Sequence, residues 1–333
     1  MKFSVGYPNY CTSAFYELLA PYCDSISEVY FAWPGIASGR AEESHSEAFA
    51  DTLKYELRKF KNANIKLNLL LNGNCYGDKA ISRALAKQII DTVALLRDEI
   101  LLDSVTTASP YLAETVKNNF SGIDVRASVN MWIDGVTAME QCKDIFDSFY
   151  LKREYNRSPD EIAKQRDWCH NNGKKLYMLA NSGCIAYCPY HTFHDNFIAH
   201  SKNIEDIDTG YSPYNCRKLL KREENRYLIL AGNLVRPEDI HNYEGLVDGV
   251  KLATRIHPYP ITVIGAYVRE RFIGDLCGLT EPGFGDLLGG DILDNSAIPD
   301  DFWQRVTSCG HECRSCGYCE AVYKRILCKI EVE

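Results

Sequence analysis

Cysteine is the residue type with the most to explain in this chain of 333, which carries 14 of them. Four fall close together near the end, in Cys309-Gly-His-Glu-Cys313-Arg-Ser-Cys316-Gly-Tyr-Cys319. Thiols this dense, with glycines between them, make poor core material and read as metal ligands. Four thiolates suit tetrahedral zinc or a four-iron cluster, and the spacing does not choose between the two. His311 can stand in as a ligand. A second group centres on Cys184 and Cys188, which leave one strand end together, with Cys75 and Cys216 expected to join them as a cofactor-binding set. Its zinc version recruits His191, His194 or His200. His194 is followed by Asp195, so a general acid or base is its other reading. The two groups together imply one or two 4Fe-4S clusters, or zinc at the C-terminal cysteines.

Other readings of these residues fall away on spacing. Cys309, Cys313 and Cys316 show the C-x3-C-x2-C pattern of radical S-adenosylmethionine enzymes. There the motif follows the first strand, whereas here it follows the last, and Cys319 would occupy the iron the nucleotide needs. No H-E-x-x-H and no G-x-S-x-G occurs, which argues against ordinary zinc and serine proteases. A Cys184–His194 pair can be written down, but a chain with 14 Cys and 8 His offers many such pairs. Cys23, Cys142 and Cys169 lie in helical patterns without a partner at ligand spacing and read as packing. Cys328 reads as a spare thiol on the final helix.

The elements that position these residues follow from apolar periodicity. Strand-like runs are expected at Lys2–Tyr7, Glu28–Trp33, Ile65–Asn72, Ser104–Ala108, Val125–Asn130, Ser148–Lys152, Lys175–Ala180 and Gly249–Thr254. Helical spacing separates most of them, as in Glu47–Phe60 and Ser82–Leu96. Such alternation means βαβ units and a parallel sheet. The fold class is therefore α/β, a TIM-like (β/α)8 barrel. It has a long loop after strand 7 (residues 181–247) and a cysteine-rich C-terminal extension. The barrel is expected over residues 1–278 and the extension, packed on it, over 279–333. An open doubly wound sheet would show a glycine-rich phosphate loop after the first strand, and GYPNYC is not one.

A barrel places its active site where the strands' C-terminal ends meet the following loops. Reading along those ends gives Asn9, Cys11, Asn72, Asn74, Cys75, Ser109, Asn130, Glu154, Asn156, Arg157, the segment from Asn181 to Asn196, Lys251 and Arg255. Lys251, Arg255 and Arg157 are candidates to clamp a carboxylate or phosphate. Glu154 and His194 are candidates for proton transfer. The net charge of −8 argues against an extended nucleic-acid surface. Arg217–Lys218 and Lys221–Arg222 read as a solvated helix face. No window reaches membrane-spanning length, and the N-terminal apolar stretch is short for a signal peptide, so a cytoplasmic protein is expected.

NSGCIAYCPYHTFHDN at strand seven, with YLKREYNRSPDEI before it and GLVDGVKLATR after it, resembles peptidase family U32, the collagenase-like peptidases. The resemblance runs over about residues 1–280. Arg153-Glu154 and Ser158-Pro-Asp-Glu-Ile stand where the family has its strand-six segment. Lys251 and Arg255 match a strand-eight Lys-Ile-Glu-Gly-Arg, though Leu-Ala-Thr between them lacks the carboxylate. The four-cysteine tail is an addition to the pattern. Some members resemble oxygen-independent hydroxylation proteins with a cysteine-held four-iron cluster, which implies Cys184, Cys188 and Cys216 as ligands, with Cys75 substituting for the fourth. The leading expectation is thus an iron–sulfur enzyme that modifies a small molecule, RNA base or peptide without oxygen. The alternatives are a U32-type peptidase, and a non-catalytic cluster-bearing partner that passes electrons to another protein.

Overall fold

The computed structural model describes residues 1–8, 14–39, 47–201 and 204–330. Asn9 and Cys11 lie outside the described residues, as does the side chain of His200. Eight parallel strands close a barrel in sequence order. They are β1 (Phe3–Gly6), β2 (Ile26–Phe31), β3 (Lys66–Leu71), β4 (Ser104–Thr107), β5 (Asp124–Ala127), β6 (Ser148–Tyr150), β7 (Lys175–Leu179) and β8 (Gly249–Leu252). Closure is made by β1 against β8, with Ser4 opposite Lys251 and Val5 opposite Leu252. All eight expected strands are present. β2 begins at Ile26 rather than Glu28, and most of the others stop short of their expected C-terminal ends. There the chain bends into the mouth, as at Val129–Met131, which is a short 3₁₀ turn.

Strand direction follows from side-chain alternation. Leu67, Leu69 and Leu71 of β3 join the main hydrophobic cluster with Leu53, Leu57 and Phe60 of the helix Glu47–Asn62. Each fully buried leucine there contributes about 1.5–3 kcal/mol. The intervening positions face the other way, where Asn68 meets Glu28 of β2. The helix Arg83–Ile100 starts on a Ser82 cap, whose hydroxyl accepts from the Leu85 N–H at 3.1 Å. Cys169 is fully buried in the same cluster, and Cys23 and Cys142 pack against it, as expected of packing thiols.

Part of the barrel interior is ionic. Arg126 on β5 makes a two-pronged ion pair with Glu28, Nη1 to Oε1 at 2.9 Å and Nη2 to Oε2 at 3.1 Å. Ser4 Oγ and Asn68 Nδ2 donate to the same carboxylate at 2.8 and 3.0 Å. Burial by itself would raise the Glu28 carboxyl, but Arg126 and these donors hold it below its ordinary value. Arg126 also lies 3.9 Å from the centre of the Tyr177 ring. With these side chains filling it, the barrel is closed below its mouth.

The long loop after β7 carries the helices His191–His200 and Asn215–Leu220. Its residues Leu220, Tyr227, Ile229 and Leu230 share a second hydrophobic cluster with Leu276, Phe284, Phe302 and Ile326 of the tail. There β9 (Ile292–Leu293) pairs antiparallel with β10 (Leu327–Cys328). Cys328 is thus exposed on a short strand instead of ending the final helix. Among the described residues, no helix is long and apolar enough to cross a membrane.

Candidate active site at the barrel mouth

A cavity of about 600 Å³ opens where the strands end. Its wall takes Tyr30 from β2, Asn72 after β3, Asn130 and Trp132 after β5, Arg153 after β6, and Cys184, Cys188 and His194 from the loop after β7. Lys251 comes from β8 itself and Arg255 from just beyond it. Residues Glu281, Pro282 and Phe284 of the tail complete the rim.

Two glycines allow these segments to meet. At Gly6 a Cβ would stand 2.7 Å from the Arg255 backbone nitrogen and 2.7 Å from the Tyr30 ring. A side chain there would push Arg255 off the mouth. At Gly183 a Cβ would lie 2.0 Å from the Pro282 carbonyl oxygen. This close approach lets the tail bridge the exit of β7, through Ser182 against Glu281.

Lys251 is strongly perturbed by its surroundings in the wall. Its ammonium position lies 4.0 Å from the Tyr30 ring centre and 5.3 Å from that of Tyr150. Burial, reinforced by the Arg255 guanidinium, lowers the amine to about 7 from the ordinary lysine value. Arg255 is fixed by Ser38, donating from Nη1 to Oγ at 2.8 Å and from Nη2 to the carbonyl at 3.0 Å. Arg153 donates from Nη2 to Asn130 Oδ1 at 2.9 Å and from Nη1 to Cys184 Sγ at 3.6 Å. Its guanidinium also lies 5.4 Å from the Trp132 ring, and His191 stacks on that indole at 3.6 Å. His194 meets Tyr214 edge-on at 5.4 Å.

No protein-family model matches the chain. An uncharacterized protease of Methanocaldococcus jannaschii, MJ1657, is 31% identical over 310 residues, covering 90% of this chain and 88% of that protein. The solved structure of the U32 peptidase Mk0906 superposes with a TM-score of 0.53 at 17% identity, over 76% of this chain and 92% of that one, which bears on the fold. The chain belongs to the U32 peptidase family.

For this U32 family member the iron–sulfur and zinc expectations need correction. Among the described residues no group of three or more His, Cys, Asp or Glu side chains converges so that it could hold a metal ion. Cys184, Cys188 and Cys216 do line the mouth cavity, but Cys75 is not part of its wall. Burial raises the thiols of Cys188 and Cys216, and each is raised further by the neighbouring cysteines. Cys309, Cys313, Cys316 and Cys319 border a separate cavity of about 230 Å³ with His311. They surround that space without forming a ligand shell, and burial pushes the Cys319 thiol up to about 11. His311 packs edge-on against Tyr187 at 5.4 Å. Close spacing in sequence brought these cysteines into one neighbourhood but did not aim their sulfurs at one point. The reading as an oxygen-independent hydroxylation enzyme built on such a cluster falls with it, and the peptidase alternative is the better supported one.

The remaining candidates divide. Lys251, Arg255, His194, Asn72 and Asn130 stand in the cavity wall. Glu154 does not; its Oε1 accepts the Tyr187 N–H at 3.1 Å, holding the loop that carries Cys184 and Cys188. Arg157 points away and donates to the Leu230 carbonyl at 2.7 Å. Asn156 ties the Leu179 and Asn233 carbonyls, each at 2.8 Å. Asn181 ties Leu279, and Ser109 caps the helix Pro110–Asn119. Polar residues at strand ends thus serve as scaffold as often as site. Arg217, expected on a solvated face, lines the cavity and pairs with Asp286. Sequence reasoning noted Arg153 only as part of a family match and missed Tyr30 and Trp132. The one available signal was an arginine leaving a barrel strand beside Glu154.

Proposed function

We propose that this chain hydrolyses peptide bonds in the cavity at the barrel mouth, with Lys251 as the general base. The observation that carries the proposal is a buried lysine amine in the cavity wall, lowered to about 7, with a fixed guanidinium beside it. A neutral amine in that position accepts a proton at neutral pH, which an ordinary lysine does not. In the reaction, water adds to the substrate carbonyl carbon as its proton passes to Lys251 Nζ. Arg255 stabilises the oxyanion that forms. The C–N bond then breaks, and the departing nitrogen takes a proton from His194. Membership of a peptidase family supports this reaction class. The thirteen described cysteines are all free, which supports placing the protein in a reducing, cytoplasmic compartment.

A second reading makes Cys184 the nucleophile, because it lines the cavity and Arg153 Nη1 lies 3.6 Å from its sulfur. Incubation with a peptide library, read by mass spectrometry, separates the two. Lys251 as base requires that Lys251→Met lower kcat by about 10²–10⁴ and remove a limb near pH 7 from the rate profile. Full activity in Lys251→Met, with loss in Cys184→Ala, selects the cysteine. No cleavage of any peptide by the intact protein overturns both.

A further inference from the structure

Several buried cations elsewhere in this protein are matched with carboxylates, although Arg157 meets only the Leu230 and Leu234 carbonyls. Arg126 has Glu28 and Asp124, Arg236 has Asp239 at 2.8 and 3.0 Å, and Arg217 has Asp286. Arg153 at the mouth is likewise without a carboxylate among the described residues, but unlike Arg157 it lines a cavity that a ligand can enter. Arg153 spends its donors on an amide oxygen and a sulfur, and its buried Nε has no partner. Lys251, 8% exposed, has ring faces around its amine, and no ion pair to it is found among the described residues. Charged groups that share the wall are Arg255 and the paired Arg217 on one side, and Asp195 and Glu281 on the other. Asp195 lies at the Trp132 indole, 3.5 Å from Nε1. A guanidinium in a cavity wall that pairs with no carboxylate among the described residues is a site prepared for one that arrives with the ligand.

The shape of the site narrows the source. Below the mouth the barrel is filled by Arg126, Glu28 and the groups around them, so the cavity has a closed floor. A polypeptide cannot thread through it, so a chain end that enters the cavity stops there. Arg153 and Arg255 in the wall receive a carboxylate terminus and repel an ammonium one. We infer that Arg153 binds the free C-terminal carboxylate of a peptide substrate, so that this site removes residues from the carboxyl end. The inference rests on the peptidase reading of the same cavity and adds the substrate class. Trp132, against which Arg153 lies, keeps the guanidinium plane oriented for two parallel N–H donors to the carboxylate.

The test is direct binding, measured by calorimetry on the full chain, with one peptide made in two forms. One ends in a free carboxylate and the other in a carboxamide; a third peptide, amidated, carries an internal Glu. The free acid is expected to bind about ten- to hundredfold more tightly than the amide, as one charge-assisted pair predicts. Arg153→Gln should remove that preference, so that acid and amide bind the variant alike. Equal affinity for acid and amide overturns the inference even if Arg153→Gln does not fold, because that comparison uses the unaltered protein. Tight binding of the internal-Glu amide overturns it in favour of a side-chain carboxylate. Absence of binding by all three overturns it as well. Cleavage assays on the same peptides keep the two proposals apart. Acid-selective binding without cleavage leaves the carboxylate site standing and removes the peptidase. Equal cleavage of acid and amide does the reverse.

Discussion

Arg126 and Lys251 are both buried cations in the wall of one barrel, on β5 and β8, and they meet burial in different ways. Arg126 lies within the barrel and has everything a buried charge needs: a two-pronged carboxylate, a second acid in Asp124, and an aromatic face in Tyr177. Lys251 stands at the mouth with aromatic faces and positive neighbours, and its amine gives way toward neutrality. The first arrangement holds strands together. The second leaves an amine near neutrality where a ligand can reach it. Burial of charge is costly in both places, and pairing decides whether the cost goes into structure or chemistry.

The comparison can be broken most forcefully at the paired site. Arg126→Met leaves Glu28 buried without its counter-charge and should lower the unfolding free energy by about 3–5 kcal/mol. Denaturant melts would show it as a lower midpoint with an unchanged slope. A loss under 1 kcal/mol would mean that water reaches the barrel interior and that the two cations are not different in kind.

A smaller effect per pH unit is expected at the unpaired site. Below about pH 7 the folded protein must carry the Lys251 ammonium, whereas the unfolded chain keeps its lysine protonated to about pH 10.4. Between those values the unfolded state binds more protons, so stability rises with pH, at most about 1.4 kcal/mol per unit. Relative to Lys251→Met, the wild-type protein should therefore gain stability from pH 7 to pH 10. The difference should be flat below pH 7, where the penalty is fully present. Parallel curves across the whole range would show that an acid holds the amine charged, erasing the contrast with Arg126.

The smallest effect is expected at the tail. Cys316 is exposed, and Cys316→Ser or dialysis against a chelator should change the unfolding free energy by under about 0.5 kcal/mol. A drop of several kcal/mol on chelation would show that these thiols are tied together after all.

Much of the fold was readable in the sequence because its signals are local. Alternation in Ile65-Lys-Leu-Asn-Leu-Leu-Leu marks a strand wherever it occurs, and Ser82 marks a helix start three residues before the N–H it caps. The site was only half readable. Lys251 and Arg255 could be named because their strand ends at the mouth. Glu154, Asn156 and Arg157 were named for the same reason and turned out to support loops, since a strand end has two sides and the sequence does not say which one faces the cavity. The cysteines misled because closeness along the chain says nothing of where sulfurs point.

By itself, then, the sequence determined the eight-stranded alternation, the cysteine-rich tail, and the presence of a lysine and an arginine at the last strand. These follow from periodicity and composition, which act over a few residues. Tertiary structure alone decided the rest. It joined Glu28 to Arg126 across 98 residues and brought Arg153 and Trp132 to the cavity that holds Lys251. It also left that lysine without a paired acid among the described residues. Such contacts are set by closure of the barrel, which fixes in space what the chain leaves far apart.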